Sequence, residues 1–200
     1  MKTPKIIFTY SWIYNQQCKE WTKFLERKGV KYPSARKILN RIKIVKPLWK
    51  KQEKKILEEL SKVSGLKRKK NEIPCYVVGR MIPFSDPLTL PIYNKHPDYF
   101  IDVLVHEVIH QLFIQDGNRM RAKKAWAYIH RKFKNESLIT RIHIPLHALH
   151  SYIYLKFFDE DRLGMEISSS KFSPDYKRSW ELVQEIGYKK IIDEFTKRIQ

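Results

Sequence analysis

The residues best suited to chemistry are the consecutive His106-Glu107-Val108-Ile109-His110. In a helix, the two imidazoles stand one turn apart on the same face, so both can reach one metal ion at the roughly 2.0–2.1 Å of a zinc–nitrogen bond. Glu107 points about 100° further round the helix. That is too far round for the obvious third ligand, but it suits a general base that takes a proton from a water attacking a carbonyl. The pentapeptide sits inside the almost wholly apolar stretch from Phe100 to Ile114. An ionisable His-Glu-His triplet buried there is costly unless a metal or other polar partners satisfy it.

A catalytic metal needs a third protein ligand. The second gathering of histidines is Arg141-Ile142-His143-Ile144-Pro145-Leu146-His147-Ala148-Leu149-His150. Pro145 is expected at the first position of a helix running to Asp159, with His147, His150 and Tyr154 following along one face. His147 is the favoured third ligand, because it lies in the first turns and small Ala148 beside it permits close approach. His143, expected just before the helix, and His150 are the alternatives. Tyr152 and Tyr154 are candidate phenols for stabilising an oxyanion, against the plainer reading of both as core packing, and Tyr154 is the better placed because it shares the stripe.

Other elements must position these groups. Lys5 to Tyr14 is β-prone, and Asn15 to Lys28 has helical spacing closed by Gly29. Pro33 to Gly65 reads as one long basic amphipathic helix, kinked at Pro47. Ile73 to Gly79 and the proline-containing Phe84 to Tyr93 predict a small sheet, the latter as an edge strand or irregular rim. Helices are then expected from Pro97 to Gly117, Arg119 to Lys134, Pro145 to Asp159 and Tyr176 to Ile199, with Ser168 to Pro174 as a linker. The plan is α+β: a helical extension over residues 1–70, then a domain over 71–200 in which a small mixed sheet packs on the site-bearing helix.

Two hundred residues with 42% hydrophobic content suffice for such a core. Cys18 and Cys75 lie far apart with no CxxC partner, which argues against a disulfide framework or a thiolate zinc site. No stretch approaches the roughly 18 apolar residues of a membrane span, and Ile6-Ile7-Phe8 is too short for a secretory signal. The expectation is a soluble, cytoplasmic protein with no membrane partner. The 40 Lys and Arg against 21 Asp and Glu leave a formal charge of +19. That suits a polyanion such as nucleic acid, but equally a solvated lysine-rich surface, since only Lys67-Arg68-Lys69-Lys70 is dense.

On these motifs the sequence from about Ile73 to Phe158 resembles the zincin metallopeptidases, in which a helix bearing His-Glu-x-x-His follows a small sheet whose edge strand holds the substrate. The resemblance implies Zn²⁺ bound by His106 and His110, Glu107 as general base, and hydrolysis of a protein or peptide substrate. The metzincin pattern would need Gly at position 113 and His at 116, where this chain has Phe113 and Asp116. A gluzincin-like third ligand would be a later glutamate, but Glu136, Glu160 and Glu166 stand in no persuasive helical segment. A three-histidine site completed by His147 is similar to that of SprT-like proteins, which combine proteolysis with DNA. The alternative function is a basic nucleic-acid-associated protein with a structural metal. A latent enzyme whose cleft is covered by residues 1–70 or by the carboxy-terminal helix is a third reading.

Overall fold

The computed structural model describes residues 3–68, 70–93, 96–115 and 117–200, those at 27, 28 and 171 in backbone only. The chain divides into two compact units, one formed by Met1–Lys55 with Lys69–Gln111 and the other by Ile56–Arg68 with Leu112–Gln200.

The first unit opens with β1 (Lys5–Thr9) and α1 (Trp12–Trp21), whose amino end is capped by Ser11 accepting from the Tyr14 amide. A 3₁₀ turn, Lys23–Lys28, leads to Gly29 in the left-handed region at φ 76°. Then comes α2 (Ala35–Lys50), capped by Ser34. The long basic segment is two helices rather than one, because the chain breaks at Lys51-Gln52 before α3 (Glu53–Ser64). Glu53 holds the break: its carboxylate accepts from the Trp49 indole at 2.9 Å and from the Ile6 amide of β1 at 2.6 Å.

The sheet comprises β1, β2 (Glu72–Val78), β3 (Phe84–Ser85) and β4 (Leu88–Pro91) in the order β1-β2-β4-β3. β1 and β4 run parallel to β2, and β3 runs antiparallel to β4, which makes the small sheet mixed. Ile73, Cys75 and Val77 alternate inward along β2, as period-two strand geometry requires. Two expectations change here. The amino-terminal segment is not purely helical, since β1 is a strand of this sheet with Lys5 opposite Glu72 and Thr9 opposite Tyr76. The Phe84 to Tyr93 segment folds back on itself, so buried β4 lies inside the sheet and two-residue β3 forms the edge opposite β1.

α4 (Pro97–Ile114) follows and is buried along most of its length, as an all-round apolar helix must be. Phe8 of β1 meets Phe100 of α4 at 6.0 Å between ring centroids, and Gln111 donates to the Ser85 carbonyl of β3. The sheet therefore fixes this helix near both of its ends.

The second unit is helical: α5 (Asn118–Arg121), α6 (Lys123–Lys132), α7 (Leu138–Phe157), α8 (Glu160–Ser169), α9 (Pro174–Ile186) and α10 (Tyr188–Thr196). α7 is its centre, with α9 and α10 packed along it. It starts seven residues before the expected Pro145, at Leu138, because Ser137 caps it by accepting from the Thr140 amide at 3.0 Å. Pro145 lies inside the helix, where it cannot donate to the Arg141 carbonyl. Burial on nearly every side of this stretch offsets that loss. The expected carboxy-terminal helix is broken at Gly187, whose φ of 89° no helix interior allows. The Ser168 to Pro174 linker overlaps the end of α8 and a short 3₁₀ turn at Ser170–Phe172.

Both cysteines are buried and unbridged. Among the described residues, no helix is long and apolar enough to cross a membrane.

Candidate metal centre

On α4 the sequence expectation takes physical form. His106 and His110 lie one turn apart, their ring centroids 5.0 Å from each other and their planes at 69°. His106 is 7% exposed and Glu107 5% exposed, while His110 is half-buried. Burial alone pushes the Glu107 carboxyl up to about 8. A carboxylate in such a place gains greatly from a nearby cation, which favours its charged form.

On α7, starting the helix at Leu138 changes the geometry of the second histidine group. His143 is helical rather than preceding the helix, so His143, His147, His150 and Tyr154 all fall within about 60° of one face. Each histidine has a different surrounding. His143 Nδ1 lies 2.8 Å from the Ile139 carbonyl, which accepts, so Nδ1 carries the hydrogen and Nε2 the lone pair. Such a bond fixes tautomer and ring orientation, as it does behind many metal-ligating histidines. Burial holds this imidazole below the ordinary histidine range, against the opposing pull of the Ile139 bond and of Asp175. The ring also packs on Tyr176 of α9 at 4.1 Å.

His147 is 1% exposed. Its Nδ1 is 2.8 Å from Ser179 Oγ, and its ring stacks on Trp180 at 4.0 Å and 7°. His150 is fully buried, packs edge-on against Tyr154 at 4.5 Å, and is pushed down to about 3 by burial, with Arg162 adding in the same direction. Tyr154 is itself wholly buried and also packs on Phe158. Tyr152 points elsewhere, its hydroxyl donating to Glu59 at 2.8 Å.

Each unit thus has histidine or glutamate side chains that could serve as metal ligands: His106 and half-buried His110 on α4 in the first, and His143 and His150 on α7 with half-buried Glu166 on α8 in the second. His147 is not among them. Neutral imidazoles with one carboxylate suit zinc and its first-row neighbours. Glu166, which sequence reasoning places in no persuasive helix, lies on α8, and that helix has a readable start. Asp159 accepts from the Arg162 amide at 2.7 Å, and Glu160 and Asp161 occupy the first turn. The α9 residues Tyr176, Ser179 and Trp180, which fix the α7 histidines, carry no comparable signal. Asp116, the nearest rival ligand in sequence, and Lys69 of the basic run lie outside the described residues.

No protein-family model, curated protein or solved structure matches this chain.

Proposed function

We propose that the protein is a zinc-dependent peptidase, with His106 and His110 as two of the metal ligands, an α7 imidazole as the third and Glu107 as the general base. The observation that carries this reading is the buried His106-Glu107-His110 set on one helix, two imidazoles a turn apart with a carboxyl between them. The mixed sheet against the same helix, with β3 at its edge, supports it further. For the third ligand we favour His143 over the sequence expectation of His147. Both rings have Nδ1 engaged, His143 by the Ile139 carbonyl and His147 by Ser179 Oγ, which leaves Nε2 as the donor atom of either, and the flat stack of His147 on Trp180 is what sets it apart.

A zinc ion in this donor set supplies Lewis acidity toward water and a carbonyl. The chain's own part is proton transfer. Glu107 accepts a proton from the attacking water as the new carbon–oxygen bond forms, then delivers it to the amine nitrogen as the carbon–nitrogen bond breaks. Its desolvated position suits both directions of transfer, because a carboxyl so placed holds a proton readily and still releases it.

Metal analysis of the purified chain tests the reading, run beside His106→Ala and His110→Ala and followed by cleavage assays on an unfolded protein such as casein. One zinc per chain, lost in both variants, with cleavage that a chelator abolishes, is the expected result. Zinc retained in both variants would reject the ligand assignment, and a zinc-loaded chain that cleaves nothing would reject the peptidase reading.

A further inference from the structure

We infer that the first unit binds single-stranded nucleic acid, through the outer face of α2 and an aromatic-lined cavity at its amino end. This surface is independent of the proposed metal site.

From Arg27 to Gln52 the chain has ten Lys and Arg and no Asp or Glu. Within α2, the apolar residues Ile38, Val45 and Trp49 are buried, so the helix spends its hydrophobic face on the protein core. What remains outside is mostly charge: Arg36, Lys37, Lys43, Lys46 and Lys50 are all exposed, with Leu39 and Ile44 exposed among them. Arg36, Lys43 and Lys50 repeat every seven residues, which places cations along one line of the helix about 10 Å apart. No acidic residue of α2 offsets them. Such a row suits a flexible polyphosphate backbone, whose condensed counterions it would release.

At the amino end of this helix lies a cavity of about 220 Å³, lined by Tyr10, Trp12, Asn15, Lys19, Tyr32 and neighbouring residues. That is below the roughly 300–1,000 Å³ of a site for a drug-sized ligand, and it suits one planar ring system. Three aromatic residues, Tyr10, Trp12 and Tyr32, line it, with Lys19 as a cation. Trp12 is 64% exposed, an unusual position for an indole in a folded chain. Tyr32 is held in place by its hydroxyl, which donates to Asn15 Oδ1 at 2.9 Å. Stacking faces beside a cationic track are the features with which single strands are bound without sequence preference. An anionic lipid surface is the weaker match, since a helix that inserts at an interface presents its main apolar face outward, whereas α2 turns Ile38, Val45 and Trp49 inward and exposes only Leu39 and Ile44 among its cations.

The test is fluorescence anisotropy of a labelled 20-residue oligothymidylate titrated with the full chain across 50 to 200 mM salt. Binding should weaken as salt rises. Trp12→Ala, at an exposed position, should weaken it by about 5- to 150-fold with an unchanged circular dichroism spectrum, the range expected when one base is deprived of its stacking partner. The triple variant Lys43→Ala, Lys46→Ala, Lys50→Ala should weaken binding and flatten the salt dependence, by a slope of about 0.7 for each phosphate that is no longer neutralised. A charge-matched triple elsewhere, Lys123→Ala, Lys124→Ala, Lys190→Ala, should bind as the unmodified chain does. Equal weakening in the two triples, no effect of Trp12→Ala, or tighter binding to a duplex of the same length would overturn the proposal. So would binding to phosphatidylserine vesicles with none to the oligonucleotide.

Discussion

The His147 ring lies flat on the Trp180 indole, 4.0 Å between centroids and 7° from parallel, with Ser179 Oγ 2.8 Å from its Nδ1. Two α9 side chains in the interior of the second unit thus hold an imidazole that the sequence marks as a ligand. His147→Ala should therefore act chiefly on stability. It removes a stack worth about 0.5–1.5 kcal/mol and leaves the Ser179 hydroxyl without its partner at about 1–3 kcal/mol. Thermal unfolding of the metal-free protein should show a destabilisation of about 1.5–4.5 kcal/mol, the sum of those two effects, with zinc affinity still high when metal is restored. His143→Ala should do the reverse. If zinc binding instead falls further in His147→Ala than in His143→Ala, His147 is the third ligand.

Glu107 is 5% exposed beside two imidazoles, and the peptidase reading gives it the proton-transfer step. Glu107→Gln keeps the shape of the side chain and removes the basic oxygen. Zinc content should stay at the level of the unmodified chain while cleavage of casein falls by at least about 100-fold, the contribution typical of a general base. A zinc-loaded Glu107→Gln protein that cleaves at the original rate would remove Glu107 from the mechanism.

The helical spacing of His106 and His110, the buried character of α4 and the strand at β2 all follow from local patterns that the sequence displays openly. Long-range choices do not. β1 joins the sheet by pairing with residues 67 positions away in register, Lys5 with Glu72, and local periodicity carries no trace of that. Pro145 reads as a helix start because proline cannot donate to a preceding turn, yet burial of α7 against α9 and α10 offsets the missing bond. A helix starting at Pro145 would exclude His143 and make His147 the best placed of the three. Even with the helix correct, periodicity cannot choose among three histidines on one face. The choice rests on Ile139, Ser179 and Trp180, and the α9 pair meets α7 only in the folded unit.

Glu59 links α3 to α7 by accepting from Tyr152 at 2.8 Å and pairing with Lys156 at 2.6 Å. The bond from Lys156 is the main reason its carboxyl is held below the usual carboxylate range, with Tyr152 adding to the effect. A carboxyl whose folded value is depressed stabilises the fold above its unfolded value, near 4.5, and this contribution fades as pH falls through the folded value. Lys156 is 41% exposed, so solvent screens the pair and about 1 kcal/mol is the expected scale. Glu59→Gln should be less stable than the unmodified chain by that amount at pH 7, with the gap shrinking as pH falls below about 4.5 and closing at an acid pH below the depressed folded value. Denaturant unfolding at the two pH values measures it, and a gap that persists undiminished in acid would mean that shape rather than charge sets the effect.

Gly79 ends β2 where the chain passes against Tyr32, and its amide donates to Asn15 Oδ1 at 3.0 Å. A Cβ at this position would lie 2.4 Å from Tyr32 Cε1 and 2.7 Å from its Cζ, closer than atoms can stand. The ring cannot simply swing aside, because its hydroxyl is tied to Asn15 Oδ1 and Asn15 is 4% exposed. Gly79→Ala must therefore displace the ring, the strand end or both, at a cost of about 1–3 kcal/mol for forced overpacking. Adding Tyr32→Ala to it should relieve the clash, so the double variant should be destabilised by less than the sum of the two single changes. Because Tyr32 also lines the aromatic cavity, oligothymidylate binding should weaken in Gly79→Ala while zinc binding at His106 and His110 is retained. Strict additivity of the two substitutions in thermal unfolding would show that the ring gives way freely and that Gly79 is not held by this close approach.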